Sequence, residues 1–262
     1  MTVAILGAGA IGSYVLGHLP AGFVSALLVR PSRVTEEPDG PPRVARVADL
    51  PRGTRLLVDC AGHGGLVAHG AEALAAGIDV LTLSLGALAD AALADRLQAA
   101  ASAGTARLRL ASGAIGGLDV LRAARAAGAL ERVTYTGRKP PEGWRGSPAE
   151  DRIDLARPLS APVTHFEGSA REAALGYPKN ANVAAAVALS GLGFDATTVA
   201  LIADPEVTAN THDITASGAF GDMRITIAGQ SLPGAPRSSA LAALSLVAAI
   251  DGRDAWMTFD GG

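Results

Sequence analysis

The 262-residue chain contains a single cysteine, Cys60. An intrachain disulfide is therefore impossible, and a thiolate metal cluster is excluded. Cys60 ends the apolar run "RLLVDC" and is expected to be a buried small hydrophobe. No apolar run approaches the roughly 18 residues that a membrane span requires. The formal net charge is −3, and arginine, though it greatly outnumbers lysine, is scattered. Without a basic stripe, nucleic acid is not an expected partner. No group of His, Asp and Glu has metal-ligand spacing, so no metal is expected. Met1 leads straight into "TVAIL" with neither a charged n-region nor an apolar h-region. The expected location is cytoplasmic. What is present, 49% hydrophobic and 18% charged residues, is a folded composition long enough for one large or two modest domains.

The first half alternates short β-like runs with Ala-rich helical ones. "TVAIL" (2–6), "FVSALLV" (23–29), "RLLVD" (55–59), "IDVLTL" (78–83) and "ARLRLA" (106–111) read as strands. Helices fit at about 10–19, 64–76 and 88–103. That alternation predicts an α/β doubly wound parallel sheet, a Rossmann domain, over 1–111. "RPSRVTEEPDGPP" (30–42) is expected to be an exposed loop. Beyond residue 112 the texture predicts a second α/β domain with a mixed sheet, spanning 112–236. It begins with a helix near 114–127 and a strand near 131–137. "GRKPPEGWRGSPAED" (137–151) is expected to be a loop or lid. A strand near 162–167, helices at 169–175 and 179–191 and a strand near 197–203 follow. "SSALAALSLVAAI" (238–250) is an apolar helix, and residues 237–262 are expected to return to the first domain.

"VAILGAGAIGSYV" carries Gly7-x-Gly9-x-x-Gly12 between a strand and a helix. Gly7 allows the tight turn, Gly9 admits a pyrophosphate to the backbone, and Gly12 lets helix and strand pack closely. Ala10 and Ile11 open the helix, where unpaired N–H groups and partial positive charge favour phosphate. This predicts dinucleotide binding. The second strand lacks the acid that holds a ribose 2′-hydroxyl. Val29 stands there, followed by Arg30, Ser32 and Arg33. Without the acid a 2′-phosphate is not repelled, and guanidinium groups can bind it. NADP should be accepted at least as well as NAD.

"TANTHDITASGAFGDMRITI" (208–227) reads as a hairpin. Counting by twos puts His212, Ile214 and Ala216 on one face. Taken alone, an imidazole there is most simply a satisfied core histidine.

Several blocks stand in a telling order: "LTLSLGALAD" (81–90), "ASGAIGGLDVLRAA" (111–124), "TGRKPP" (136–141), "FEGSAREA" (166–173), "YPKNANVAAAVALSGLG" (177–193) and "ADPEVTANTHDI" (203–214). With the glycine fingerprint they resemble the L-aspartate dehydrogenase family, over residue 2 to about 250. The resemblance implies a Rossmann domain plus an α/β domain, commonly in a homodimer. It implies NAD(P)-dependent oxidative deamination of L-aspartate, or reductive amination of oxaloacetate with ammonium. The iminoaspartate formed can feed NAD biosynthesis. It makes His212 the catalytic histidine and places Ala114 and Asn182 at cofactor-contacting positions, with Asn180 of the same short motif kept open as an alternative to Asn182.

The chemistry needs a group that takes protons from the amine and from the water attacking the imine, and imidazole suits both. Of five histidines, His18 and His69 are expected at the surface and His165 in a structural role. His63 follows a parallel strand, where it could touch a nicotinamide ribose. His212 is the best base. Two carboxylates need cations or helix N-termini. Ser112 in "SGAIGG", and Lys179 and Asn180 in "PKNAN", are the substrate-binding candidates, with Pro178 suited to a first helical position. Lys139 is a weaker candidate. Asp90 and Asp119 are read as helix-start or surface acids. The competing readings are another two-domain NAD(P) oxidoreductase of dicarboxylates, imines or semialdehydes, and a non-catalytic dinucleotide-binding module.

Overall fold

Val3, Ala4 and Ile5 have no exposed surface because β1 (Thr2–Leu6) lies inside a parallel sheet covered on both faces. A computed structural model describes residues 2–34, 40–252 and 257, with the backbone alone at 236 and 237. Residues 35–39 of the expected exposed loop, and 253–256 and 258–262 of the expected returning segment, lie outside the described residues. The sheet order is β3-β2-β1-β4-β5-β6. The flanking strands are β2 (Val24–Leu28), β3 (Arg43–Val44), β4 (Thr54–Asp59), β5 (Asp79–Thr82) and β6 (Leu108–Leu110). Every pair is parallel, the doubly wound order whose strand direction of travel reverses beside β1.

Near-continuous apolar strands follow from burial on both faces. Val3 and Ile5 pack with Val15 of α1 (Ala10–Gly17) and with Leu246 and Ile250. Ala4 and Leu6 point the other way, towards Leu66, Leu74, Leu93 and Leu97. Those come from a continuous helical stretch, α2 (His63–Gly65), a π turn (Leu66–Gly70) and α3 (Ala71–Ala75), and from α4 (Ala91–Gly104). Asp90 caps α4 by accepting from the Ala92 and Leu93 N–H groups.

By contacts, Met1–Ala111 and Ala242–Ala255 form one compact unit and Ser112–Leu241 the body of a second. The second unit holds a mixed sheet of order β11-β10-β7-β9-β8. Its strands are β7 (Arg132–Lys139), β8 (Val163–Ser169), β9 (Thr198–Ala203), β10 (Asn210–Gly218) and β11 (Gly221–Gly229). β7 and β9 run parallel and the other neighbours antiparallel. The helices are α5 (Leu118–Ala126), α6 (Ala170–Gly176) and α7 (Asn182–Ser190). The last packs on β7, α5 and α6, and Ala184–Ala188 are all buried. A small ladder, β12 (Ser231–Leu232) with β13 (Ala235–Ser239), leads into α8 (Ala240–Asp251).

Two sequence expectations shift. Pro178 does not start a helix: Pro178–Asn180 form a turn closed by the Asn180 and Ala181 N–H groups on the Tyr177 carbonyl, and α7 begins at Asn182. The segment 137–151, expected as a loop or lid, is a loop with short 3-10 turns only beyond Lys139, and it is anchored. β7 runs on to Lys139, and Trp144 is fully buried with its indole N–H donating to the Ile202 carbonyl.

Candidate cofactor cradle and candidate active site

In the first unit each fingerprint glycine has its own steric reason. A Cβ on Gly12 would lie 2.1 Å from the Gly7 carbonyl oxygen, so α1 and β1 can approach only with glycine there. A Cβ on Gly7, whose φ is +94°, would press on Ala61 at 3.0 Å. A Cβ on Gly9 would meet nothing within 4 Å. The space over Gly9 is open, as a backbone meant to be approached by a ligand requires. Gly9 caps α1 without a side-chain bond, and no acid stands in the first turn. The opening N–H groups, including those of Ala10 and Ile11, have no intrahelical acceptor.

A cavity of about 630 Å³ opens from this turn along the ends of β1, β2 and β4. Val29, Arg30, Arg33 and Arg43 line one side, and Ala61, Gly65 and His69 the other. Arg43 was not singled out from the sequence; its place on the short outer strand β3 is what brings it here. His69, expected at the surface, is half-buried in that wall, within the π turn. The floor is fixed by Asp59, which accepts from the Thr82 and Ser84 hydroxyls at 2.7 Å and from the Ala61 N–H at 3.0 Å. Burial pushes the Asp59 carboxyl up, and its hydrogen bonds only partly oppose this. Cys60 lines the same cavity, half-buried, with its thiol pushed up by burial and by Asp59. Cradle, open face and guanidinium groups fit a nicotinamide dinucleotide.

In the second unit the β10 alternation is as expected: His212, Ile214 and Ala216 are buried, while Thr211 and Asp213 are half-buried and Thr215 exposed. His212 pairs with Gly137 across β7 and with Ile227 across β11. Its Nδ1 lies 2.7 Å from the Tyr135 hydroxyl. A Cβ at 137 would come within 2.8 Å of that hydroxyl, so Gly137 makes room for the bond. Burial pushes the Tyr135 phenol up, further helped by Asp213, which keeps it protonated. Burial first, and then the Lys139 charge, push His212 down to about 4, against a smaller upward pull from Asp213. The imidazole is neutral at physiological pH, well below the near-neutral titration of an unperturbed ring.

Lys139 follows two residues beyond Gly137 on β7. Its ammonium donates to the Asn180 side-chain oxygen at 2.6 Å and sits 4.7 Å from the centre of the Trp144 ring. Burial pushes it down to about 8. Lys179, the lysine favoured from the sequence, is exposed and makes no hydrogen bond or ion pair among the described residues. The reason is the turn at Pro178–Asn180, which projects Asn180 rather than Lys179 towards β7. Asn182 is the first residue of α7 and is half-buried. Ala114 is buried, and Ser112 is exposed at the start of the unit. The "SGAIGG" turn lies on the hairpin, where Gly117 faces Ile225 and Gly116 faces Ile227, the β11 partner of His212. His165 is buried between Trp144 and Tyr177, with Nδ1 3.1 Å from the Tyr177 hydroxyl. His18 is exposed at the end of α1, bonded to the Tyr14 carbonyl. His63 opens α2 at the end of β4, half-buried.

The sequence reading missed Tyr135, Gly137 and Trp144. The available signal was the alternation Val133, Tyr135, Gly137, Lys139 on one strand face.

Comparison with known proteins adds an independent line. The family model for the C-terminal domain of aspartate dehydrogenase matches residues 119–253, and that for the NAD binding domain of homoserine dehydrogenase matches 7–111. The chain is 57% identical to an L-aspartate dehydrogenase of Ruegeria pomeroyi over 256 residues, covering 97% of this chain and 92% of that protein. It is 48% identical to an L-aspartate dehydrogenase of Pseudomonas aeruginosa, covering 95% and 96%. Among solved structures, the aspartate dehydrogenase of Thermotoga maritima superposes with a TM-score of 0.79 at 26% identity, covering 99% of each chain.

Proposed function

The chain belongs to the L-aspartate dehydrogenase family, and on that premise we propose that it oxidises L-aspartate with NAD(P) to iminoaspartate, which water converts to oxaloacetate and ammonia, and that it runs the reverse amination. The observation that carries this reading is the neutral, buried His212 held through Nδ1 by Tyr135.

The turn Gly7–Gly12 holds the pyrophosphate through backbone N–H groups. By the family resemblance, Ala114 and Asn182 are further cofactor-contacting positions. Val29 offers no carboxylate to a ribose 2′-hydroxyl, and Arg30, with Arg33, answers a 2′-phosphate, so NADP serves at least as well as NAD. When bound, the nicotinamide supplies the acceptor for the hydride that leaves the substrate Cα. His212 does the proton work. Neutral imidazole accepts a proton from the substrate ammonium and so frees the nitrogen lone pair that assists hydride loss. Once that proton has passed to solvent, the neutral ring accepts a proton from the water that attacks the imine and returns it to the nitrogen that leaves as ammonia. Nε2 is the accepting atom when Nδ1–H donates to the Tyr135 oxygen, and a donor when the phenol donates instead. The pair thus serves deamination and amination alike. Ser112 and Asn180 face the substrate.

The protein works in the cytoplasm as a homodimer, and its iminoaspartate suits NAD biosynthesis. Reduced-cofactor absorbance, followed with L-aspartate and then with oxaloacetate plus ammonium, tests the reaction. Turnover of another amino acid or imine with L-aspartate inert would favour the related-oxidoreductase reading. Cofactor binding with no turnover of any of these would favour a binding module.

A further inference from the structure

Lys139 is one of only two lysines in the chain, and its surroundings are unusual for a cation. Its side chain is half-buried at the end of β7, on the strand face that carries Tyr135 and Gly137. Its neighbours are a neutral amide oxygen, Asn180 Oδ1 at 2.6 Å, and the face of a fully buried indole, Trp144 at 4.7 Å. Among the described residues no carboxylate pairs with it. A cation partly withdrawn from water without a counter-ion costs folding free energy, and a cation–π contact and one amide bond offset only part of that. The arginine on the opposite sheet face is treated differently: Arg138 is paired with both Asp204 and Asp213. The missing counter-ion of Lys139 is therefore a local feature beside His212.

We propose that Lys139 receives a carboxylate of the substrate, which takes the place of the Asn180 amide oxygen on its ammonium; this rests on the dicarboxylate reading above. The exchange replaces a neutral partner by a charged one, and charge-assisted bonds are about twice as strong. It also links binding to chemistry. The groups whose charge acts on His212 are Lys139, which pushes it down, and Asp213, which pulls it up. A carboxylate seated on Lys139 offsets the downward push, so His212 becomes a better base when the substrate is present.

The test uses the full chain with saturating oxidised cofactor and succinate as the probe, a dicarboxylate without an amine. Succinate binding by calorimetry is expected for the wild type and at least about tenfold weaker in Lys139→Met, with cofactor affinity and circular dichroism unchanged. Lys139→Arg should restore part of the binding. Asn180→Asp supplies an internal carboxylate to Lys139 and should raise the thermal midpoint while weakening succinate, a result that keeps the test open if Lys139→Met misfolds. A purely structural lysine would give the higher midpoint with succinate affinity intact. No succinate binding by the wild type, or binding within about twofold in a folded Lys139→Met, would overturn the assignment. Loss of succinate binding in the variant alongside a wild type inert towards L-aspartate would remove the reaction and leave the carboxylate site standing.

Discussion

Gly137 faces His212 across the β7–β10 ladder, and its missing side chain leaves the space through which the Tyr135 hydroxyl reaches the His212 Nδ1. The hydrogen bond is therefore a product of two residues, one that makes it and one that permits it. Tyr135→Phe removes the bond but keeps the ring. Losing a partner of a buried polar atom costs roughly 1–3 kcal/mol, so kcat should fall about tenfold or more, with KM for L-aspartate little changed. Gly137→Ala should reproduce the same loss with the phenol still present. Steady-state kinetics of both variants checks this; unchanged kcat in folded Tyr135→Phe would mean that His212 needs no such support.

The glycine fingerprint yields a paired prediction. Gly12→Ala sets a Cβ against the Gly7 carbonyl, and Gly9→Ala sets one in open space. Gly12→Ala should lower the thermal midpoint of the protein alone. Gly9→Ala should leave that midpoint in place and weaken NAD(P) binding, because its methyl occupies the approach to the pyrophosphate. Thermal unfolding without cofactor, and fluorescence titration with it, separate the two. Equal effects on both quantities would show that the glycines do not divide their roles this way.

Acid should destabilise the fold within a definite window. His165 and His212 are buried, and desolvation is the largest cause that pushes each down to about 4. For His165, the Arg152 and Lys139 charges add to this, and its Nε2 has no hydrogen-bond partner among the described residues. An unfolded histidine titrates near ~6.5. Between that value and about 4 the unfolded chain binds more protons, so stability falls as pH drops through the window. The thermal midpoint should be lower at pH 5 than at pH 7.5. His165→Leu should show a shallower fall, since one of the two linked groups is gone. A midpoint flat from pH 7.5 to 5 would contradict the buried neutral assignment.

How far the sequence carried this reading depends on the range of each interaction. The fingerprint was legible because strand, turn and helix stand within a dozen residues, and the steric reason for each glycine is local. The β10 alternation was legible for the same reason, and it placed His212 on the buried face. Tyr135 was not, because its bond to His212 joins positions 77 residues apart and follows from the β7–β10 register. That Lys139 rather than Lys179 meets the Asn180 side chain depends on a short turn. Pro178 fits a first helical position and a turn equally well, and the Tyr177 carbonyl settles it by closing the turn. Lys139 also depended on β7 running two residues into a Pro-rich segment that Trp144 pins down. Arg43 was hidden because a two-residue strand leaves almost no periodic signal.

Cofactor choice follows from the end of β2. Val29→Asp restores a carboxylate where a ribose 2′-hydroxyl would be held and a 2′-phosphate repelled. It should shift the ratio of kcat/KM values towards NAD. Arg30→Ala, which removes a guanidinium from the cavity wall, should weaken NADP more than NAD. A wild type with a strong NAD preference, or variants that change both cofactors equally, would refute this account of the 2′ position.

The most direct test of the account is L-aspartate-dependent reduction of NAD(P), measured by absorbance in the wild type and in His212→Ala. Folding is checked by circular dichroism and cofactor affinity by titration. The account predicts turnover in the wild type and a loss on the order of 10²–10⁴-fold in the variant with cofactor binding retained. Turnover in His212→Ala equal to that of the wild type would contradict it.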